Sequence, residues 1–290
     1  MLHNKLWCNF QAAEKLIRCI YIIQGNCMTY ETLELNREGS TLFVRLNRPQ
    51  VHNAMNDIML KELTECFADS SENQDVRAVV LTGNGKSFSA GADLNWMKSM
   101  IDYSFDENVK DSRLLLELYD SMYNFPKPLI ARVNGHAFGG GVGLMAVCDV
   151  VIAVPDAKFA FSEINLGIIP SVISSFVVKR IGISHMRRLF ITGERFDSIY
   201  GYEIGLVDHV VPEEDMDDEV EKYLKILRSS APEGVKEVKE LLNKYQEMTE
   251  DEYKEYTVKK ISELRVSPEG QEGIGAFLEK RKSKWSDTDV

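Results

Sequence analysis

Arg132-Val-Asn-Gly-His-Ala-Phe-Gly-Gly-Gly-Val-Gly-Leu144 decides how this chain is read, together with Phe161-Ser-Glu-Ile-Asn-Leu-Gly-Ile-Ile-Pro170 after it. Three consecutive glycines join an apolar run to a helix-compatible run, Val142 to Cys148. Without Cβ atoms the backbone there can approach a ligand closely. The unpaired N–H groups of a helix N-terminus then point at that ligand. A carboxylate follows at Glu163, flanked by apolar residues of the kind that raise a carboxyl pKa. An N–H site for a developing oxyanion beside a lone acid/base is the pairing that enolate chemistry next to a carbonyl needs.

A second stretch lies upstream, Val80-Leu-Thr-Gly-Asn-Gly-Lys-Ser-Phe-Ser-Ala-Gly-Ala-Asp-Leu-Asn-Trp-Met97. A strand ends in glycines, and Ser89-Ala-Gly-Ala-Asp93 then lays small residues where a flat, bulky group can sit. Alone this is a weak signal, because Gly-rich strand ends are usually turns. Beside Gly139–Gly141 it supplies a second source of backbone N–H donors for one oxygen.

At 290 residues the chain is long enough for one large α/β domain, or for one domain with an appendage. The net charge of −11 argues against a general nucleic-acid or anionic-membrane surface. No apolar run is long enough to span a bilayer. The five cysteines (Cys8, Cys19, Cys27, Cys66, Cys148) show no CxxC pairing and no ligand-like spacing with the five histidines. They read as thiols of a reducing compartment such as the cytoplasm, with no metal site. Residues 1–27 hold three of these cysteines and the mixed segment Leu16-Ile-Arg-Cys-Ile-Tyr-Ile-Ile23. That segment is broken by Arg18 and lacks a small-residue cleavage site, so it reads as an upstream extension and not a secretory signal.

Thr29–Leu35 and Thr41–Leu46 flank the turn Asn36-Arg-Glu-Gly-Ser40 and predict an antiparallel pair. Met59, Leu60, Leu63 and Phe67 recur at helical spacing and predict an amphipathic helix over 56–69. Val76–Leu81, Pro128–Val133 and Asp149–Val154 read as buried strands, with a helix over Asp111–Tyr123. Apolar strands alternating with helices imply parallel pairing under helical cover. After Pro170 the chain reads as helical: Ser174–Ile181, Ser184–Thr192, Ser198–Ile204, then long charged helices from Glu213. The composition shift near Pro212 divides a core at 28–212 from a helical region at 213–290 that needs something to pack on. The acidic run Glu213–Glu219 suits a helix N-terminus.

The ordered set Leu46-Asn-Arg-Pro49, Ser89-Ala-Gly-Ala-Asp93, Asn134-Gly-His-Ala-Phe-Gly-Gly-Gly141 and Ser162-Glu-Ile-Asn-Leu-Gly-Ile-Ile-Pro170 resembles the enoyl-CoA hydratase/isomerase (crotonase) superfamily. The resemblance runs from about Met28 to the family-like Ala276-Phe-Leu-Glu-Lys-Arg281. It implies an α/β fold, the crotonase-type ββα spiral with two roughly perpendicular sheets and a helical C-terminal trimerisation region. It further implies a homotrimer or dimer of trimers, and an acyl-CoA thioester substrate with no cofactor beyond the CoA it carries. Carried over residue by residue, the N–H groups of Ala92 and Gly140 form the oxyanion hole. Ala90, Ala92, Asp93 and Leu94 cradle CoA, and Glu163 exchanges a proton with substrate carbon. Phe277 and Lys280 touch CoA across the trimer interface, or are simply a packed Phe and a solvated Lys.

One departure stands out. Typical hydratases of this superfamily place a glutamate four positions after the first glycine of the triplet, where this chain has Gly143. A second departure is Ser171-Val-Ile-Ser-Ser175 in place of a Gly-rich stretch. With Asp93-Leu-Asn-Trp-Met97, these features resemble the bacterial methylglutaconyl-CoA hydratase branch. Ser171 and Ser174 are candidates to position the attacking water, with helix capping as the plainer role for Ser171. The leading expectation is hydration of a 2-enoyl-CoA, with a branched or carboxylated acyl chain. An isomerase using Glu163 alone is the nearest rival, and a non-catalytic CoA-ester- or RNA-binding relative is a third reading. A carboxylate at 143 is expected to crowd the acyl pocket while favouring short straight-chain esters. His52 and His136 read as local hydrogen-bonding or packing residues.

Overall fold

The computed structural model describes residues 19–23 and 26–286, with side chains from Tyr30 onward. Of the extension expected at 1–27, residues 1–18, 24 and 25 therefore lie outside the described residues. Cys19–Ile23 (β1) pairs antiparallel with Asn26–Tyr30 (β2), a strand that straddles position 27. The expected strand at Thr29–Leu35 is divided. Its first part belongs to β2, and the next strand is Leu33–Glu38 (β3). The cause is Glu62, whose carboxylate accepts the backbone N–H groups of Glu31 (2.6 Å) and Thr32 (2.8 Å) and so takes them out of any ladder. β3 then pairs antiparallel with Thr41–Leu46 (β4) around Gly39, whose φ of +59° glycine adopts without strain.

From β4 onward the chain repeats a strand–strand–helix unit. Asp57–Glu72 (α1) starts at Asn56, whose side chain accepts the Met59 N–H, and buries Met59, Leu60, Leu63 and Phe67 as their spacing predicts. Ala78–Gly83 (β5) and Ser87–Ser89 (β6) lead into Leu94–Met100 (α2) and Phe105–Tyr123 (α3). Leu129–Val133 (β7) and His136–Phe138 (β8) lead into Gly140–Ala146 (α4). Val150–Ala153 (β9) and Lys158–Ala160 (β10) lead into Ser171–Thr192 (α5). The first strand of each unit joins one six-stranded sheet and the second joins a four-stranded sheet. The chain is thus wound as the ββα spiral that its motifs imply. Phe196–Asp197 (β11) and His209–Val210 (β12), on either side of Ser198–Glu203 (α6), close the edges of the small and large sheets.

Every residue of β5 is buried, because β4 and β7 flank it in parallel and helices cover the sheet. The capping box of Ser104 and Glu107 starts α3 six residues before the predicted Asp111. The two helices predicted over 174–192 are the two stretches of α5 on either side of Gly182, whose φ of +72° no helix contains.

Met216–Ser229 (α7) begins in the acidic run, as the macrodipole argument predicts, and Arg132 adds ion pairs to Asp217 (2.7 Å) and Glu213 (2.9 Å). α7 buries Met216, Val220 and Leu224 against β7 and β9. The Arg77 guanidinium ties the following segment down by donating to the carbonyls of Ser230 (2.7 Å) and Trp285 (2.9 Å). By contrast Pro232–Glu247 (α8) and Glu250–Val266 (α9) bury no residue, and Pro268–Leu278 (α10) buries only Ala276. No helix among the described residues is long and apolar enough to cross a membrane.

Leu81 lies at the centre of β5 with no exposed surface. Leu81→Ala is expected to cost about 2–5 kcal/mol through lost transfer energy and an unfilled cavity. A urea midpoint unmoved from wild type would show that this strand is not the core it looks to be.

Candidate active site

The loop after β6 is fixed by backbone bonds to its neighbour. Met55 N–H donates to the Gly91 carbonyl (2.7 Å), and Asp93 N–H donates to the Met55 carbonyl (2.8 Å). Asp93 then caps α2, its carboxylate accepting the N–H groups of Asn95 (2.7 Å) and Trp96 (3.3 Å). Arg48 completes the arrangement with an ion pair to Asp93 at 2.8 Å. These bonds together hold the carboxyl pKa of Asp93 low against the opposing effect of burial. The residue between the two clamped peptides is Ala92, whose N–H meets no backbone acceptor among the described residues.

The glycine turn comes alongside. A Cβ on Gly91 would stand 2.7 Å from the Phe138 carbonyl and 3.8 Å from the Gly140 nitrogen, so the two segments are in contact. Gly139, at φ +49°, donates its N–H to the Ala160 carbonyl (2.9 Å). Gly140 is the first residue of α4, and its N–H is one of the orphan donors that every helix N-terminus carries. Ala92 and Gly140 line one cavity of about 390 Å³.

Glu163 lines the same cavity from the short 3₁₀ turn Ser162–Leu166. A Cβ on Gly139 would lie 2.7 Å from Glu163 Oε1, so the carboxylate rests directly on the glycine turn. Its Oε2 is buried and finds no hydrogen-bond partner among the described residues. Burial pushes the Glu163 pKa up, opposed only weakly by the residue's own N–H. The remaining wall is largely apolar: Met97 and Met100 from α2, Leu115 from α3, and Leu166, Ile168 and Ile169 from the loop after Glu163. Asp111 and Glu163, both acidic, are the only charged groups lining it among the described residues.

Because the folded pKa of Glu163 lies above its ordinary 4.5, the native state binds more protons than the unfolded chain between those two values. Stability therefore falls as pH rises through that window. Glu163→Gln removes the penalty, so the variant should melt higher than wild type at pH 8 and alike at pH 4. A variant that melts lower at pH 8 would contradict the desolvated carboxylate.

Ala90, Ala92, Leu94, Gly140, Glu163 and Ser171 are brought to this one cavity. The others are not. Asp93, expected among the CoA-contacting residues, is 4% exposed, its carboxylate committed to the α2 cap and Arg48. Ser174 turns its hydroxyl to the Ser171 carbonyl (2.5 Å), one turn back along its own helix. The capping role expected of Ser171 also fails. Pro170 occupies the N-cap of α5, no side chain caps it, and Ser171 is already the first helical residue. Phe277, 81% exposed, and Lys280 do not line the cavity of their own chain, and the contact expected of them is with CoA bound to a neighbouring subunit. His52 bonds Ser87 Oγ (3.1 Å) and His136 accepts the Lys158 N–H (3.0 Å), the local roles expected of both.

Gly143 requires the largest revision. It faces the interior and not the cavity. A Cβ there would stand 2.5 Å from Ile173 Cγ2 and 3.0 Å from two ring atoms of Tyr119. No sequence motif marks Tyr119, which lies within the helix predicted over Asp111–Tyr123. Its ring occupies the room that a longer side chain at 143 would need. The expectation that a carboxylate at 143 favours short esters therefore gives way to a steric one. Gly143→Glu is expected to destabilise the fold by at least about 1–3 kcal/mol from overpacking, with a buried charge added. Thermal unfolding measures this, and a soluble variant of unchanged stability would show that the region opens freely.

The profile of the family described as Enoyl-CoA hydratase/isomerase matches residues 36–288. The chain belongs to this family. Among solved structures similar to it, an enoyl-CoA hydratase from Shewanella pealeana is 36% identical with a TM-score of 0.85, the match covering 88% of this chain and 96% of that one. Pseudomonas aeruginosa AtuE is 35% identical with a TM-score of 0.86, covering 89% of this chain and all of that one. A mitochondrial enoyl-CoA hydratase of Pongo abelii is 34% identical over 265 residues, 91% of this chain and 90% of the relative. The family match thus spans the spiral and the C-terminal helices alike.

Proposed function

We propose that this family member hydrates a 2-enoyl-CoA thioester to the 3-hydroxyacyl-CoA. The observation that carries the reading is the meeting, on one apolar cavity, of two backbone N–H groups and one unpartnered carboxylate. The thioester oxygen accepts from Ala92 and Gly140, which draws electron density from C3 and stabilises the enolate as it forms. Water attacks C3 while the Glu163 carboxylate takes one of its protons. Electrons move through the former double bond onto the thioester oxygen. The enolate then collapses and takes that same proton from Glu163 at C2, which restores the carboxylate. One water is added across one double bond, and each step uses groups of this chain. A raised Glu163 pKa suits a residue that must both accept and return a proton near neutrality.

The apolar wall of Met97, Met100, Leu115 and Ile168 supports a branched acyl chain as the natural substrate. Among the described residues that wall presents no cation, which favours the uncharged branched ester over the carboxylated one. Exposed apolar side chains on the C-terminal helices, including Leu242, Val258, Ile261 and Phe277, support assembly into a trimer that covers them. An isomerase moving a proton from C4 to C2 needs the same hole and only one carboxylate, and Glu163, the unpartnered one of the two acids lining the cavity, favours it as the second reading.

The test is turnover of branched, carboxylated and straight-chain enoyl-CoA esters in oxygen-18 water, with products weighed by mass spectrometry. Wild type is expected to incorporate one solvent oxygen. Glu163→Gln should bind the esters while losing several orders of magnitude in kcat, on the order of the 100- to 10,000-fold typical of acid–base groups or more. Double-bond migration without oxygen uptake on every ester would replace hydration by isomerisation.

A further inference from the structure

The oxyanion-hole peptide at Gly140 sits on a helix start that lacks the usual means of fixing its geometry. Gly139 is the N-cap of α4 and no side chain caps the helix. Glycine at 139, 140, 141 and 143 leaves this first turn with the widest backbone freedom that a sequence can give it. Yet a hole donor works only when it is held where charge develops in the transition state. Something outside the turn must hold it.

Tyr119 of α3 is placed to do so. Its hydroxyl donates to the Gly140 carbonyl at 2.7 Å, and its oxygen lies 2.9 Å from where a Cβ on Gly140 would be. The residue has no exposed surface, does not line the cavity, and packs its ring against Phe176 at a centroid distance of 5.9 Å. A buried phenol with a satisfied hydroxyl is a rigid strut, since it has few torsions and no competing water. Gly143 completes the fit. Any side chain there would meet the Tyr119 ring at 3.0 Å, so the glycine that replaces the family's first glutamate leaves room for the ring.

We infer that Tyr119 is the positioning residue of the oxyanion hole, its hydroxyl holding the Gly140–Gly141 peptide so that the Gly140 N–H, on the other side of the same Cα, aims at the substrate thioester oxygen. Tyr119 touches no substrate and moves no proton. Glycine at 143 thus leaves the space that the Tyr119 ring fills behind the hole. The inference rests on the thioester reading of the site and adds to it how the hole is kept in register.

The test is Tyr119→Phe in the full-length chain, which keeps the ring and removes the hydroxyl. The expected result is a drop in kcat of about 10-fold, part of the 100- to 1000-fold value of a whole hole donor. KM should stay within about two-fold, because the ground-state carbonyl depends on the hole less than the enolate does. A conjugated aromatic enoyl-CoA gives a second readout, because its absorption band moves to longer wavelength when the carbonyl is polarised. That shift should shrink in Tyr119→Phe. Gly143→Ala approaches the same ring from the other side and should lower kcat and the band shift in the same direction. Phe176→Leu loosens the ring packing but keeps the hydroxyl, and should lose stability while keeping both signals. Unchanged kcat and band shift in Tyr119→Phe, or equal losses in Phe176→Leu, would reduce Tyr119 to a packing residue. Should Tyr119→Phe not fold, full kcat and band shift in Gly143→Ala would overturn the inference. A wild type that shifts the band but hydrates no ester would count against the reaction and not against the brace.

Discussion

The absence of space for a Cβ along the first turn of α4 is the constraint from which the rest of this molecule follows. At Gly139 a side chain would enter the Glu163 carboxylate, and at Gly140 it would collide with Met55 and Tyr119. At Gly141 it would run into the Ser89 carbonyl, and at Gly143 into Ile173. Five residues from five separate segments therefore touch the same turn. Each contact is made by backbone or by a side chain in close packing, and dense interiors transmit small displacements instead of absorbing them. The site is as precise as the packing behind it.

That precision is shared between polar groups that point away from the cavity. Asp93 and Arg48 form a nearly buried ion pair beside the Ala92 peptide. Such a pair contributes little net stability over an apolar replacement, but loss of one partner leaves a charge stranded. Its value here is geometric, because the same carboxylate caps α2 and fixes the end of the loop that carries Ala92. Tyr119 does the corresponding work behind Gly140. Glu163 is the opposite case. It is desolvated and unpartnered, a local cost in stability of the kind that functional sites carry.

The helical C-terminal region divides by what it packs on. α7 belongs energetically to the spiral, because Met216, Val220 and Leu224 are buried against the large sheet. α8 and α9 expose apolar residues such as Val238, Leu242 and Val258, and the exposed Phe277 lies on α10. A composition shift near Pro212 marks where charged helices begin. It does not mark where the core ends.

Much of this was legible in the amino-acid order. Apolar runs at 78–83 and 129–133 read as strands because residues buried on both faces leave no alternation to confuse. Gly139–Gly141 and Glu163 read as a site because triple glycine and a carboxylate among apolar neighbours are rare and chemically specific. The edges were less legible. β3 begins at Leu33 because Glu62, about thirty residues away, claims the preceding N–H groups, and no local pattern records that. Asp93 looked like a ligand-facing polar residue of a small-residue loop until Arg48 and α2 claimed its carboxylate. Tyr119 carried no sequence signal and Gly143 read only as a departure from the family's glutamate, since neither position names its neighbour. Sequence by itself determined which chemistry this chain can hold, through residue types that propensity and spacing make local. Tertiary structure alone decided which groups face the substrate and which brace it, because that depends on contacts between α3, α4 and the β6 loop that local sequence does not encode.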